Sequence, residues 1–105
     1  MDFAVSSREV APGCVVLQVS GELDHHTANG FSQAVRKLLA AGPSVLMVDL
    51  FDLTYMSSPG LYVLTEAQEA LAGKDAQLVV VGARGEVLQL LQLAGLEETL
   101  PVVSG

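Results

Sequence analysis

The hexapeptide Val45-Leu46-Met47-Val48-Asp49-Leu50 constrains this chain more than any other stretch. A nearly continuous apolar run of this length lacks the alternation of a half-solvated strand, so it reads as a strand covered on both sides, as in parallel sheets flanked by helices. Its surroundings agree. Upstream, Phe31, Ala34, Val35, Leu38 and Leu39 recur at the spacing of a core-facing helical stripe, with Arg36 and Lys37 near the C-terminal end and Gly42-Pro43 as the stop. Downstream comes the turn Ser57-Ser58-Pro59-Gly60 and a helix predicted over roughly 59–72. That helix would bury Leu61, Leu64, Ala67 and Leu71 and end at Gly73. Ser58 is the expected N-cap and Pro59 the first helical residue, because a serine side chain accepts from an orphan N–H and proline lacks an N–H where none is needed.

The remaining elements extend the alternation. Phe3 to Val5 suggests a short N-terminal edge strand, Pro12-Gly13 a turn, and Cys14 to Ser20 an interior strand with Val15, Leu17 and Val19 on one face. Leu78 to Val81 reads as a further buried strand, Gly82 to Gly85 as a turn, and Glu86 to Ala94 as a helix burying Val87, Leu90, Leu91 and Ala94. Gly95 ends that helix, and Leu100 to Val103 would add a last strand. Strands alternating with helices imply right-handed crossovers and an α/β fold with a mainly parallel sheet of four to five strands. At 105 residues the chain is expected to form a single domain over 1–105.

This topology has a functional consequence. The loops Gly21 to His26, Phe51 to Ser58 and Gly82 to Gly85 emerge at the carboxyl ends of strands, where open α/β sheets place their sites. Asp24, Asp49 or Asp52, Ser57, Ser58 and Arg84 are therefore candidates for one shared edge. Tyr62, four residues after Ser58, should stand above it on the same side of the helix, with Val63 close by as part of an apolar patch.

Five basic and twelve acidic residues give a formal charge of −7, which opposes binding to nucleic acid or an anionic membrane and favours a basic protein partner. The N-terminus has neither a basic start nor an apolar signal core, and no stretch is apolar enough to span a membrane, so a cytoplasmic location is expected. Cys14, the single cysteine, suits a reducing compartment and is given a packing role. No cofactor is implied, and the cysteine and histidine spacings suggest no metal site.

Catalysis is poorly provided for. A serine nucleophile needs a base, only His25 and His26 are available, and Met56-Ser57-Ser58-Pro59-Gly60 keeps just the last glycine of a nucleophile elbow. Gly82-Ala83-Arg84-Gly85 precedes a helix but lacks the spacing and residues of a nucleotide-binding loop, so it reads as a turn. A covalent phosphate on Ser58 needs fewer parts. It would place roughly −1.5 to −2 charges at a helix mouth, near the carboxylates of Asp24 and Asp49, and turn a neutral docking patch strongly negative.

Four segments carry a family likeness: Val16-Leu17-Gln18-Val19-Ser20-Gly21-Glu22-Leu23-Asp24, Val48-Asp49-Leu50, Thr54-Tyr55-Met56-Ser57-Ser58-Pro59-Gly60-Leu61 and Ala94-Gly95-Leu96. Together they resemble a STAS domain, in particular the bacterial anti-sigma factor antagonists. The resemblance implies a non-enzymatic domain that binds an anti-sigma factor with serine-kinase activity and so releases a sigma factor. Phosphorylation by that kinase would break the complex, and a serine phosphatase would restore it. By the same resemblance Ser58 is the phospho-acceptor and Asp24 the acidic residue in the neighbouring loop; with the helix spacing and strand order read above, the expected partner-binding surface is Asp24, Ser57, Ser58, Tyr62 and Val63, with Asp49 as supporting acid. The chain departs from the family pattern at Ser57, usually Asp, and at Pro59, usually a small residue. These changes leave Ser57 as an alternative acceptor and an unregulated STAS scaffold in a larger signalling or transport-associated complex as the alternative function.

Overall fold

A computed structural model describes residues 2–93 and 102–103 of the chain. Its elements run β1 (Ala4–Ala11), β2 (Cys14–Leu23), α1 (Ala28–Ala40), β3 (Val45–Asp49), β4 (Leu53–Met56), α2 (Ser58–Ala72), β5 (Gln77–Val81), α3 (Gly85–Leu93) and β6 (Val102–Val103). The main path of the sheet is β1-β2-β3-β5-β6, with β1 antiparallel to β2 at the edge and every other pairing parallel. The α/β class, the crossover helices and the N-terminal edge strand are as expected. Ala94, Gly95 and Leu100, placed in the last helix, its end and the final strand by the sequence, lie outside the described residues.

One face of the sheet carries the core. Leu17, Val19, Leu46, Val48, Leu78 and Val80 alternate inward along β2, β3 and β5 and are at most 2 % exposed. They meet Phe31 and Val35 of α1 and Leu64, Ala67 and Leu71 of α2, and the two helices also pack on each other. Leu61 and Leu90, expected to be buried, are half-buried against the same core.

Three differences from the sequence reading are physical. First, β1 runs from Ala4 to Ala11, not Phe3 to Val5: its residues are all exposed, so no burial pattern marks them, and it is held by the ladder to β2. Second, β2 continues to Leu23, and Leu53–Met56, expected as loop, forms β4 beside it. After β3 releases β2 at the Gln18–Asp49 pair, the chain turns at 50–52 and resumes parallel pairing further along the same strand. A bulge between Gly21 and Glu22 allows the shift. Gly21 has φ +88° there and packs against the backbone of Asp2 and Phe3. Third, β3 is not covered on both faces. Leu46 and Val48 are buried, but Val45, Met47 and Asp49 are only half-buried.

Candidate functional site

The site lies where β2 and β4 end together. Leu23 pairs with Met56, and the Ser57 N–H donates to the Leu23 carbonyl at 2.8 Å, so Asp24 and Ser57 leave adjacent strands side by side. Asp24 and the Ser57-Ser58 pair, 33 residues apart in sequence, thus share one rim because a strand ladder runs up to it.

Each side of the rim is locally built. On the β2 side, the Asp24 Oδ1 accepts from the His26 and Thr27 N–H groups at 2.9 and 3.0 Å, and the Asp24 N–H donates to the Thr27 hydroxyl at 2.9 Å. Thr27 in turn donates to the Glu22 carbonyl at 3.0 Å and is the N-cap residue of α1. Burial pulls the Asp24 pKa upward, but the backbone N–H groups of Thr27 and His26, the Thr27 hydroxyl and the nearby His26 together outweigh it and hold the carboxyl below its ordinary value. Asp24 is therefore an anion with its loop folded around it. The rings of His25 and His26, both exposed, lie with centroids 4.0 Å apart and planes tilted by 39° in the same loop.

On the β4 side the capping register is one residue earlier than the sequence suggests. Ser57, with φ −92° and ψ 169°, is the N-cap of α2, Ser58 is the first helical residue and Pro59 the second. The Ser57 hydroxyl makes no capping bond: its Oγ is buried and has no hydrogen-bond partner, and proline at the second position removes one of the N–H groups a cap would use. Ser58 is exposed. Of the two adjacent hydroxyls, only that of Ser58 is open to a macromolecular reagent. Gly60 is buried directly beneath, where a Cβ would lie 2.7 Å from Leu23 Cγ and Cδ2, so the helix start is seated on the end of β2.

The remaining candidates divide. Tyr62 is 63 % exposed, one turn after Ser58, and belongs to the rim. Val63 does not: at 8 % exposure it faces inward to line the seam between α1 and α2 with Ser32, Val35, Arg36, Glu66 and Ala67. A step of one residue turns a helix by about 100°, enough to carry Val63 from the surface to the core. Asp49 is also elsewhere. It aligns with Gln18, five residue steps below Leu23, or about 16 Å along β2, and its Oδ1 accepts from the Phe51 N–H at 2.9 Å to close the turn after β3. It cannot act as a supporting acid beside Ser58.

Arg84 and Asp52 mark a second, lower rim. The Gly82 backbone touches Phe51, the Gly21 N–H donates to the Asp52 carbonyl at 3.1 Å, and the Arg84 guanidinium lies 4.4 Å from the centre of the Phe51 ring. α3 begins just after, with Glu86 in its first turn. Phe51 and Tyr55, which the sequence reading left in the loop Phe51 to Ser58 without a role, are 47 % and 44 % exposed.

The rim offers an exposed hydroxyl, a fixed carboxylate and an exposed aromatic ring. Among the described residues no cluster of His, Cys, Asp or Glu is arranged to hold a metal ion, and no helix is long and apolar enough to cross a membrane.

Comparison with known proteins gives the same family as the motifs. The model of the STAS domain matches residues 6–104. The chain is 33 % identical over 93 residues to the anti-sigma-F factor antagonist RsfB of Mycobacterium tuberculosis, covering 88 % of this chain and 75 % of that protein. It is 26 % identical over 102 residues to an anti-sigma-B factor antagonist of Listeria monocytogenes, covering 97 % of this chain and 90 % of that protein. The crystal structure of an anti-sigma factor antagonist from Mycobacterium paratuberculosis superposes with a TM-score of 0.90 at 32 % identity, over 99 % of this chain and 87 % of that one.

Proposed function

This chain belongs to the STAS domain family, and from that premise we propose that it is a cytoplasmic anti-sigma factor antagonist: it binds an anti-sigma factor that has serine-kinase activity, releases a sigma factor, and is switched off by phosphorylation of Ser58. The relatives named anti-sigma factor antagonists support the role. The observation that carries the switch is the exposed Ser58 hydroxyl on the first turn of α2, held beside Asp24 by the Ser57–Leu23 backbone bond.

The partner docks on Asp24, Ser57, Ser58 and Tyr62. Tyr62 supplies the apolar anchor, and exposed aromatics of this kind dominate interface energies. With Ser58 unmodified, the contact closes over a neutral hydroxyl. A phosphate adds roughly −1.5 to −2 charges that must be desolvated on docking beside the fixed Asp24 anion, and the complex dissociates unless the partner supplies a cation at that point. A serine phosphatase resets the switch. The buried Ser57 Oγ supports Ser58 over Ser57 as the acceptor.

The test is intact-mass analysis after incubation with the cognate kinase and ATP. One phosphate is expected on the wild type and on Ser57→Ala, and none on Ser58→Ala. Phosphate retained on Ser58→Ala and absent from Ser57→Ala would move the site to Ser57. No labelling by any kinase of the host, together with stable co-purification of a non-kinase partner, would favour an unregulated scaffold. Pro59, which removes an N–H from the helix mouth, is the feature that favours that second reading.

A further inference from the structure

The face of the sheet turned away from α1 and α2 plays no part in the rim. Across β1, β2 and β3 it forms a shallow depression of about 450 Å³ lined by Ser6, Ser7, Arg8, Val16, Gln18 and Asp49. Val16 and its neighbours Val45 and Met47 on β3 are half-buried there. This is the residue pattern of a sheet covered on both sides, since apolar residues occupy both faces of β3, yet among the described residues only one face of that strand is fully buried.

The charges on this face indicate what would cover the other. Arg8 aligns with Val16 and, through it, with Met47; Asp49 aligns with Gln18 and, through it, with Ser6. Arg8 and Asp49 therefore lie two strands and two residues apart, about 12 Å from strand spacing and rise. That is too far for an ion pair, and among the described residues neither has an opposite charge of its own. The midpoint between them falls on β2 between Val16 and Gln18. A two-fold axis lying in the face and bisecting that line exchanges the two positions. Two copies packed face to face would set the Arg8 of each against the Asp49 of the other, twice, with Val16 near the axis. An isologous interface requires self-complementarity of this kind.

We propose that the chain pairs with a second copy through the β1–β2–β3 face, with reciprocal Arg8–Asp49 contacts around an apolar centre of Val16 and Met47. Asp49 lies about 16 Å along β2 from the rim, so the pair leaves both Ser58 sites free.

Sedimentation velocity of the whole chain from low micromolar to near-millimolar concentration tests this. The wild type should pass from monomer to dimer, and Met47→Glu should remain monomeric with an unchanged circular dichroism spectrum. Arg8→Glu should weaken association about ten-fold or more, because it sets two carboxylates against each other. Adding Asp49→Asn to Arg8→Glu removes that repulsion while keeping an oxygen for the Phe51 N–H, and should recover part of the loss. A wild type that stays monomeric throughout, association unaffected by Met47→Glu or Arg8→Glu, or an Arg8→Glu defect that Asp49→Asn does not relieve would each overturn the proposal.

Discussion

Asp24 has two roles at the rim that different substitutions can separate. Its carboxylate holds the turn of residues 24–27 through two backbone N–H groups, and its residue follows β2 where Ser57 and Ser58 follow the paired strand β4. Because its pKa is held below the ordinary value, its charge contributes stability that is present above the unfolded pKa of about 3.9 and is lost as pH falls through the folded value. Asp24→Asn keeps an oxygen for the turn but removes the charge. Urea midpoints of wild type and Asp24→Asn should therefore differ by a constant amount near neutral pH and converge below about pH 4. A gap that persists unchanged to lower pH would mean that the turn relies on shape and not on ionisation. From the sequence, Asp24 and the two serines are candidates for one edge; which atoms the carboxylate holds is not legible there, because the donors are backbone groups.

At the scale of elements, the rim exists because β2 changes partner from β3 to β4, and Gly21 is the hinge of that change. A side chain there would adopt φ +88° and run into the backbone of Asp2 and Phe3, so Gly21→Ala should cost at least about 2 kcal/mol. The loss should be local in character. Hydrogen exchange at the Ser57 N–H should accelerate more than exchange within the β3–β5 ladder, and equal acceleration everywhere would show that β4 is not a separable extension. β4 was also the element hardest to read from sequence. Leu53-Thr54-Tyr55-Met56 is four residues long with its two middle residues exposed, so it lacks both the length and the alternation that mark a strand. The elements that were legible, α1, β3 and β5, each bury a regular set of side chains. The burial of Val63 and the distance of Asp49 from the rim were not legible, since the first depends on how α1 meets α2 and the second on the register of β3 against β2.

For the whole molecule, the formal charge of −7 and the proposed switch pull in opposite directions. A basic partner is drawn to an acidic domain, and added negative charge should draw it faster if only the long-range field mattered. Phosphate can eject that partner only through what happens after contact, when its charge loses water next to Asp24 and Tyr62 without a cation to meet it. The two effects act on different rate constants. Raising salt from about 50 to 500 mM should lower the association rate severalfold and leave dissociation nearly unchanged, because the Debye length over which steering acts falls from about 14 to about 4 Å while short-range contacts are little screened. Ser58→Asp should act the other way, with a similar or slightly faster association rate and dissociation about ten-fold faster or more. Stopped-flow or surface-binding kinetics with the purified anti-sigma factor separates these cases. If Ser58→Asp slowed association and left dissociation alone, the charge would be acting at a distance, and the desolvation account of the switch would fail even if Ser58 remained the site of modification.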